Sequence, residues 1–142
     1  MGQPVWWEQT IPILEHQSGG LARICRYERP VSGRCPACAF LDGIESRMAK
    51  RFNGQFRALM TMGADYCNNE RFKPLVGDGK PLWEFKEHDH RLFCYRRVTQ
   101  NSKAVTIILL NGWVKDKGGR TDKEDREIKR AMGLYQESLG ES

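Results

Sequence analysis

The sequence lacks any hydrophobic run close to the ~20 residues a transmembrane helix requires. Charged residues make up 29% of it and its mean hydropathy is −0.63, so no membrane partner is expected. A secretory leader is also missing, because Glu8 and Pro12 interrupt the short apolar stretch at the N-terminus. Met1-Gly2 does not open a myristoylation signal, since Trp6 stands where Ser or Thr is required. The cysteines number five, an odd count that rules out a fully paired disulfide framework. There is no second CxxC and no HxxxH to complete a zinc site. Repeats and low-complexity tracts are absent as well. The odd cysteine count implies a reduced, cytoplasmic protein.

What is present fits one domain of 142 residues with a single core. Residues 1–20 form an N-terminal extension with Trp6, Trp7 and Pro12, closed by Ser18-Gly19-Gly20; residues 21–142 form the domain proper. Leu21–Arg29 alternates apolar and polar residues and predicts a first strand. From Pro36 to about Lys50 the spacing of Phe40, Leu41, Ile44, Met48 and Phe52 is helical, with Asn53-Gly54 as a candidate break before a second helix ending near Gly63. Residues 68–80, dotted with Pro74, Gly77 and Gly79, read as a loop. Near the C-terminus Thr121 or Asp122 caps a last helix. Asp122, Glu124 and Asp125 lie in its first turn, and Ile128, Ala131, Met132, Leu134 and Tyr135 form its apolar stripe.

Between these helices lie three strand-like runs. Leu82–Lys86 alternates, Arg91–Val98 interleaves Leu92, Phe93 and Tyr95 with Arg91, Arg96 and Arg97, and Ala104–Val114 carries Val105 to Leu110 almost unbroken. An apolar run of that kind fits a strand buried on both faces. The short polar linkers favour antiparallel hairpins. The predicted fold is α+β: a small twisted antiparallel sheet of three to four strands packed against two N-terminal helices, with a C-terminal helix. From Arg71 to Lys117 there are ten basic residues against five acidic ones, a surplus equal to the +5 of the whole chain. A basic sheet face suits a polyanion, nucleic acid above all.

Cys35-Pro36-Ala37-Cys38 at a helix start has the form of a thiol pair or half a zinc site; two cysteines near the start of a helix that packs on the sheet is the plainer account. His88 and His90 lie in a hairpin turn, where acid–base work competes with simple solvation. The stronger constellation is Glu84, Lys86, Arg91, Tyr95, Arg96, Lys115 and Lys117, with Trp113 beside it. Cleaving a phosphodiester requires a base for the attacking hydroxyl, positive charge on the nonbridging oxygens and a proton for the leaving oxygen. Strand alternation puts Glu84 with Lys86 on one face, Arg91 with Phe93 and Tyr95 on one face, and Arg96 opposite Tyr95. Aromatic side chains among such charges are positioned to stack bases.

The segments FLDGIESRMAKRFNGQFRALMTMG, KPLVGDGKPLWEFK, HRLFCYRRV and ILLNGWVKDKGGRTDKEDREIKRAMGLY, in that order, resemble the RelE/HigB toxin superfamily, in particular its phage-derived Gp49-like branch. The resemblance spans about residues 21–138. It implies the toxin of a type II toxin–antitoxin pair, a metal-independent endoribonuclease that cleaves mRNA on the ribosome, with a helix-turn-helix antitoxin as protein partner. Carried over position by position, it matches Lys86, Arg91 and Lys115 to the family's basic positions, with Tyr95 and Lys117 as weaker matches; Lys86, Arg91, Lys115 and Tyr95 are thus the candidate catalytic residues, and the constellation adds Glu84, Arg96, Arg97, Trp113 and Lys117 as candidate RNA-binding residues. Asp116 separates Lys115 from Lys117, where the family often has adjacent lysines. Two other functions go with the same resemblance: a ParE-like gyrase inhibitor, and a non-catalytic phage accessory protein that binds a host protein.

Overall fold

A computed structural model of the chain describes residues 20–98, 103–115 and 122–140. Trp6, Trp7, Lys117 and Thr121 fall outside the described residues. In chain order the elements are β1 (Ala22–Arg26), α1 (Pro36–Gly43), α2 (Ser46–Met62), β2 (Phe72–Pro74), β3 (Trp83–Glu87), β4 (His90–Val98), β5 (Val105–Val114) and α3 (Asp122–Ser138). The class is α+β, with one five-stranded sheet in the order β1-β5-β4-β3-β2. No helix among the described residues is long and apolar enough to cross a membrane.

The sheet departs from the sequence expectation in strand count and in direction. It has five strands rather than three or four, and it is mixed, because β1 runs parallel to β5 while every other pair is antiparallel. The parallel pairing has a topological reason: two helices separate β1 from the β2–β5 meander, and a connection of that length can return the chain in the same direction. The added strand is β2, in a segment that reads as a loop. Its three residues give no measurable alternation, and Pro74 sits at the sheet edge, where a missing N–H is tolerated. What secures β2 is Phe72, fully buried and stacked on Phe85 at 4.2 Å between ring centroids.

Helices cover both sheet faces. On one, Met48, Phe52, Phe56 and Leu59 of α2 and Leu41 of α1 pack on Ile24, Phe85, Leu92, Ile107 and Leu109. On the other, Ile128, Ala131 and Leu134 of α3 pack on Cys25, Phe93, Tyr95, Ile108 and Leu110. This explains the unbroken apolar run of β5, whose successive residues enter opposite cores. The helical break falls at Ile44-Glu45 rather than at Asn53-Gly54, which lies within α2 with Gly54 exposed. A bulge in the β4–β5 ladder sets the orientation of the last residues of β5. Cys94 pairs with Leu109 and Phe93 with Asn111, leaving Leu110 as the additional residue. Asn111 and Trp113 thereby share the α3 face with their partners Phe93 and Arg91, and Gly112 turns toward α1.

Candidate nucleic-acid interface

The α3 face of the meander collects charge at the end where β3 turns into β4. Three ladder pairs place it there: Lys73 opposite Glu84, Lys86 opposite Arg91, and Arg91 opposite Trp113. Cross-strand partners stand about 5 Å apart at Cβ, and like charges facing each other disfavour the pairing by roughly 0.2–1 kcal/mol. Lys86 opposite Arg91 is such a pair, with Lys73 one strand further out on the same face. The helix α3 lies over β4 and β5 and touches the turn at residues 77–79 that links β2 to β3.

Glu84 anchors the group. It is 8% exposed, and its carboxylate lies 3.9 Å from the Arg91 guanidinium. Loss of hydration raises its pKa above the ordinary carboxylate value, against the opposing pull of Arg91, Lys86 and Lys73. Arg91 is itself tied down by its Nη1, which donates to the His88 carbonyl at 2.6 Å and to the His90 carbonyl at 3.0 Å. Lys86 is pushed the other way. Desolvation first, then the charges of Lys73 and Arg91, lower its pKa below the ordinary lysine value. A larger share of Lys86 is therefore the neutral amine, the form that accepts a proton.

Lys115 directly follows β5, its Nζ 3.9 Å from Glu124 on the first turn of α3. Its backbone N–H donates to the Asp89 carbonyl at 2.7 Å, which fixes the chain where it leaves the sheet. Behind these charges lie one buried polar residue and the edge of the α3-side core. Asn111 is fully buried, with Nδ2 3.5 Å from Glu127 Oε1, and Trp113 is 6% exposed. The Asn111 Oδ1 and the Trp113 Nε1 have no hydrogen-bond partner among the described residues.

Of the residues singled out in the sequence, Glu84, Lys86, Arg91 and Lys115 come together on this face with Trp113. Trp113 forms part of the apolar floor, so its ring is not presented to a base. Tyr95 shares the face but belongs to the far end. It is 3% exposed, its hydroxyl is 2.9 Å from Ser138 Oγ, and its ring meets Tyr135 edge-on. Arg97 lies beyond Tyr95, opposite Thr106. Arg96 is on the opposite face, its guanidinium 5.0 Å from the Trp83 ring centroid. His90 pairs with Glu87 and approaches Phe40 of α1, so it too faces away from Lys86. His88 caps the hairpin with φ +54 and is exposed.

Two contributors escape sequence reasoning. Lys73 joins through β2, which has no sequence signature. Asn111 does carry one: it is the polar residue that follows the apolar run of β5 directly. Glu87, which resembles a turn residue, is 3% exposed on the α2 face. There it accepts from Gln55 Nε2 at 2.8 Å and pairs with Arg71. That arrangement holds the end of β3 to α2.

A scan of protein-family models finds none that matches this chain, and a search of curated proteins finds no match either.

Proposed function

We propose that this chain is a metal-independent endoribonuclease, the toxin of a type II toxin–antitoxin pair, acting on mRNA at the ribosome. The observation that carries the reading is the Lys86–Arg91 ladder pair, two like charges held opposite each other beside Lys73, with Lys86 shifted toward its neutral form. The arrangement disfavours folding and is suited to a phosphodiester. The likeness of residues 21–138 to RelE/HigB toxins supports the same reading.

In the proposed reaction the neutral Lys86 amine takes the proton of an RNA 2′-hydroxyl. The freed oxygen attacks the adjacent phosphorus, forming the O2′–P bond as the P–O5′ bond breaks. Arg91 and Lys73 bind the nonbridging oxygens, on which negative charge grows in the transition state. The Lys115 ammonium gives its proton to the departing O5′. Glu84 keeps Arg91 in place. The products are a 2′,3′-cyclic phosphate and a 5′-hydroxyl. The antitoxin, a helix-turn-helix protein, covers this face.

The test is cleavage of mRNA by purified protein in the presence of a chelator, with and without programmed ribosomes, followed by analysis of the new ends. Cyclic-phosphate ends lost by about 100-fold or more in Lys86→Met and Arg91→Ala support the reading. Intact RNA in both settings overturns it, and linearised or relaxed plasmid in a parallel gyrase assay identifies a gyrase poison instead.

A further inference from the structure

The one sequence motif left unused by this chemistry is Cys35-Pro36-Ala37-Cys38. Cys35 is the N-cap of α1, and its Sγ accepts a hydrogen bond from the Cys38 backbone N–H at 3.3 Å. Pro36 opens the helix, its fixed φ suited to the first helical position. Both thiols are half-buried on the outer side of the α1–α2 core, so both keep a route to solvent. The other three cysteines differ: Cys25 and Cys94 are fully buried, and Cys67, which follows the short turn 63–66, packs against the core that holds Cys94. Among the described residues no group of three or more cysteines, histidines or carboxylates is placed to hold a metal.

The charged groups near the pair are Arg26, Glu28 and Asp42. Each thiol is the largest influence on the titration of the other. The pair releases its first proton below the ordinary thiol range, because the remaining S–H donates to the thiolate and Arg26 attracts it, and its second far above. The other thiols behave otherwise: burial pushes Cys25 up to about 11, and raises Cys67 and Cys94 also.

We infer that Cys35 and Cys38 form a redox-active dithiol that exchanges reversibly with low-molecular-weight disulfides such as glutathione disulfide. The thiolate of the pair attacks one sulfur of the incoming disulfide; that S–S bond breaks, a mixed disulfide forms, and the first thiol leaves with one proton. The second thiol of the pair, held on the same first turn of α1, attacks the bound protein sulfur. The Cys35–Cys38 bond forms and the second small thiol leaves with the other proton. Two protein thiols are oxidised and one small disulfide is reduced to two thiols. The first turn of α1 holds the two sulfurs together, so the second step follows without rearrangement of the helix.

The test is to incubate the reduced full-length protein with glutathione disulfide, quench with acid, alkylate and map the peptides. The expected product links Cys35 to Cys38 and takes up two fewer alkyl groups, is restored by dithiothreitol, and leaves Cys25, Cys67 and Cys94 alkylatable. Under limiting iodoacetamide at neutral pH, the pair is expected to react about tenfold faster than Cys67. Cys35→Ser and Cys38→Ser, each with its far-UV spectrum checked, are expected to stop at a stable glutathione adduct on the remaining cysteine. Wild-type protein that accumulates the adduct without closing the bond overturns the inference, as does oxidation elsewhere or a pair that stays fully alkylatable.

Discussion

The Phe40 ring occupies the space in which residue 112 would carry a side chain: a Cβ on Gly112 would lie 2.4 Å from Phe40 Cδ2. Gly112 reaches this position because the Leu110 bulge rotates the end of β5, turning Trp113 toward α3 and leaving the bare backbone beneath α1. The ring is held from its other sides by Phe52, 6.0 Å away, and His90, 6.2 Å away.

Gly112→Ala is therefore expected to destabilise the domain by about 1–3 kcal/mol, the usual range for inserting a carbon into a packed contact. Urea unfolding checks it, and Phe40→Leu combined with Gly112→Ala should recover part of the loss. Additive losses in the double variant would mean that the ring and the glycine do not oppose each other.

Lys86 and Tyr95 separate the site from its surroundings. Tyr95→Phe removes one hydrogen bond to Ser138 and should cost about 1 kcal/mol in stability, with RNA cleavage at the wild-type rate. For Lys86, the active form is the neutral amine. The cleavage rate should rise with pH through a pKa below the ordinary lysine value and then level off, a rise that Lys86→Met abolishes. A wild-type rate that falls over the same range would remove Lys86 as the base.

Glu137 fastens the end of α3 to the strand end after β1. It accepts from the Tyr27 hydroxyl at 2.9 Å and from Arg29 Nε and Nη2, each at 3.0 Å. Its pKa is lowered from 4.5, chiefly by the Arg29 hydrogen bond. A carboxylate whose folded-state pKa is depressed contributes stability that is complete above its unfolded value and disappears as pH falls through the folded one. The stability gap between wild type and Glu137→Gln should be widest near neutral pH and close in acid. A gap that is constant with pH would show that the contact does not depend on the charge.

Glu84 follows the opposite sign. Its raised pKa means that the folded state holds a proton that the unfolded chain has released, so this residue lowers stability as pH rises through the window above the ordinary carboxylate value. Glu84→Gln is expected to flatten that part of the stability profile, measured by thermal unfolding between acid and neutral pH. The same substitution should weaken cleavage, because Arg91 loses the carboxylate 3.9 Å away.

Local signals in the chain determined most of the elements. Alternation located β3 and β4, the unbroken apolar run located β5 and announced that it is buried on two sides, and helical spacing located α3 and the helical stretch that holds α1 and α2, though not the break between them. The concentration of basic residues between positions 71 and 117 was likewise legible, since counting charge needs no geometry. Only the tertiary structure decided how those elements meet. The three-residue β2 exists because Phe72 is buried against Phe85, a long-range contact that leaves no periodic trace. The parallel place of β1 beside β5 and the cover of α3 over the second face depend on chain crossings, which local pattern does not encode. The site divides in the same way. Lys86 and Arg91 share a face by alternation and hairpin register, both readable, whereas Lys73 joins them through β2 and Trp113 through the bulge at Leu110. One added residue in a strand reverses the facing of all that follows it, and the energy that selects it lies in the packing on both sides of the sheet.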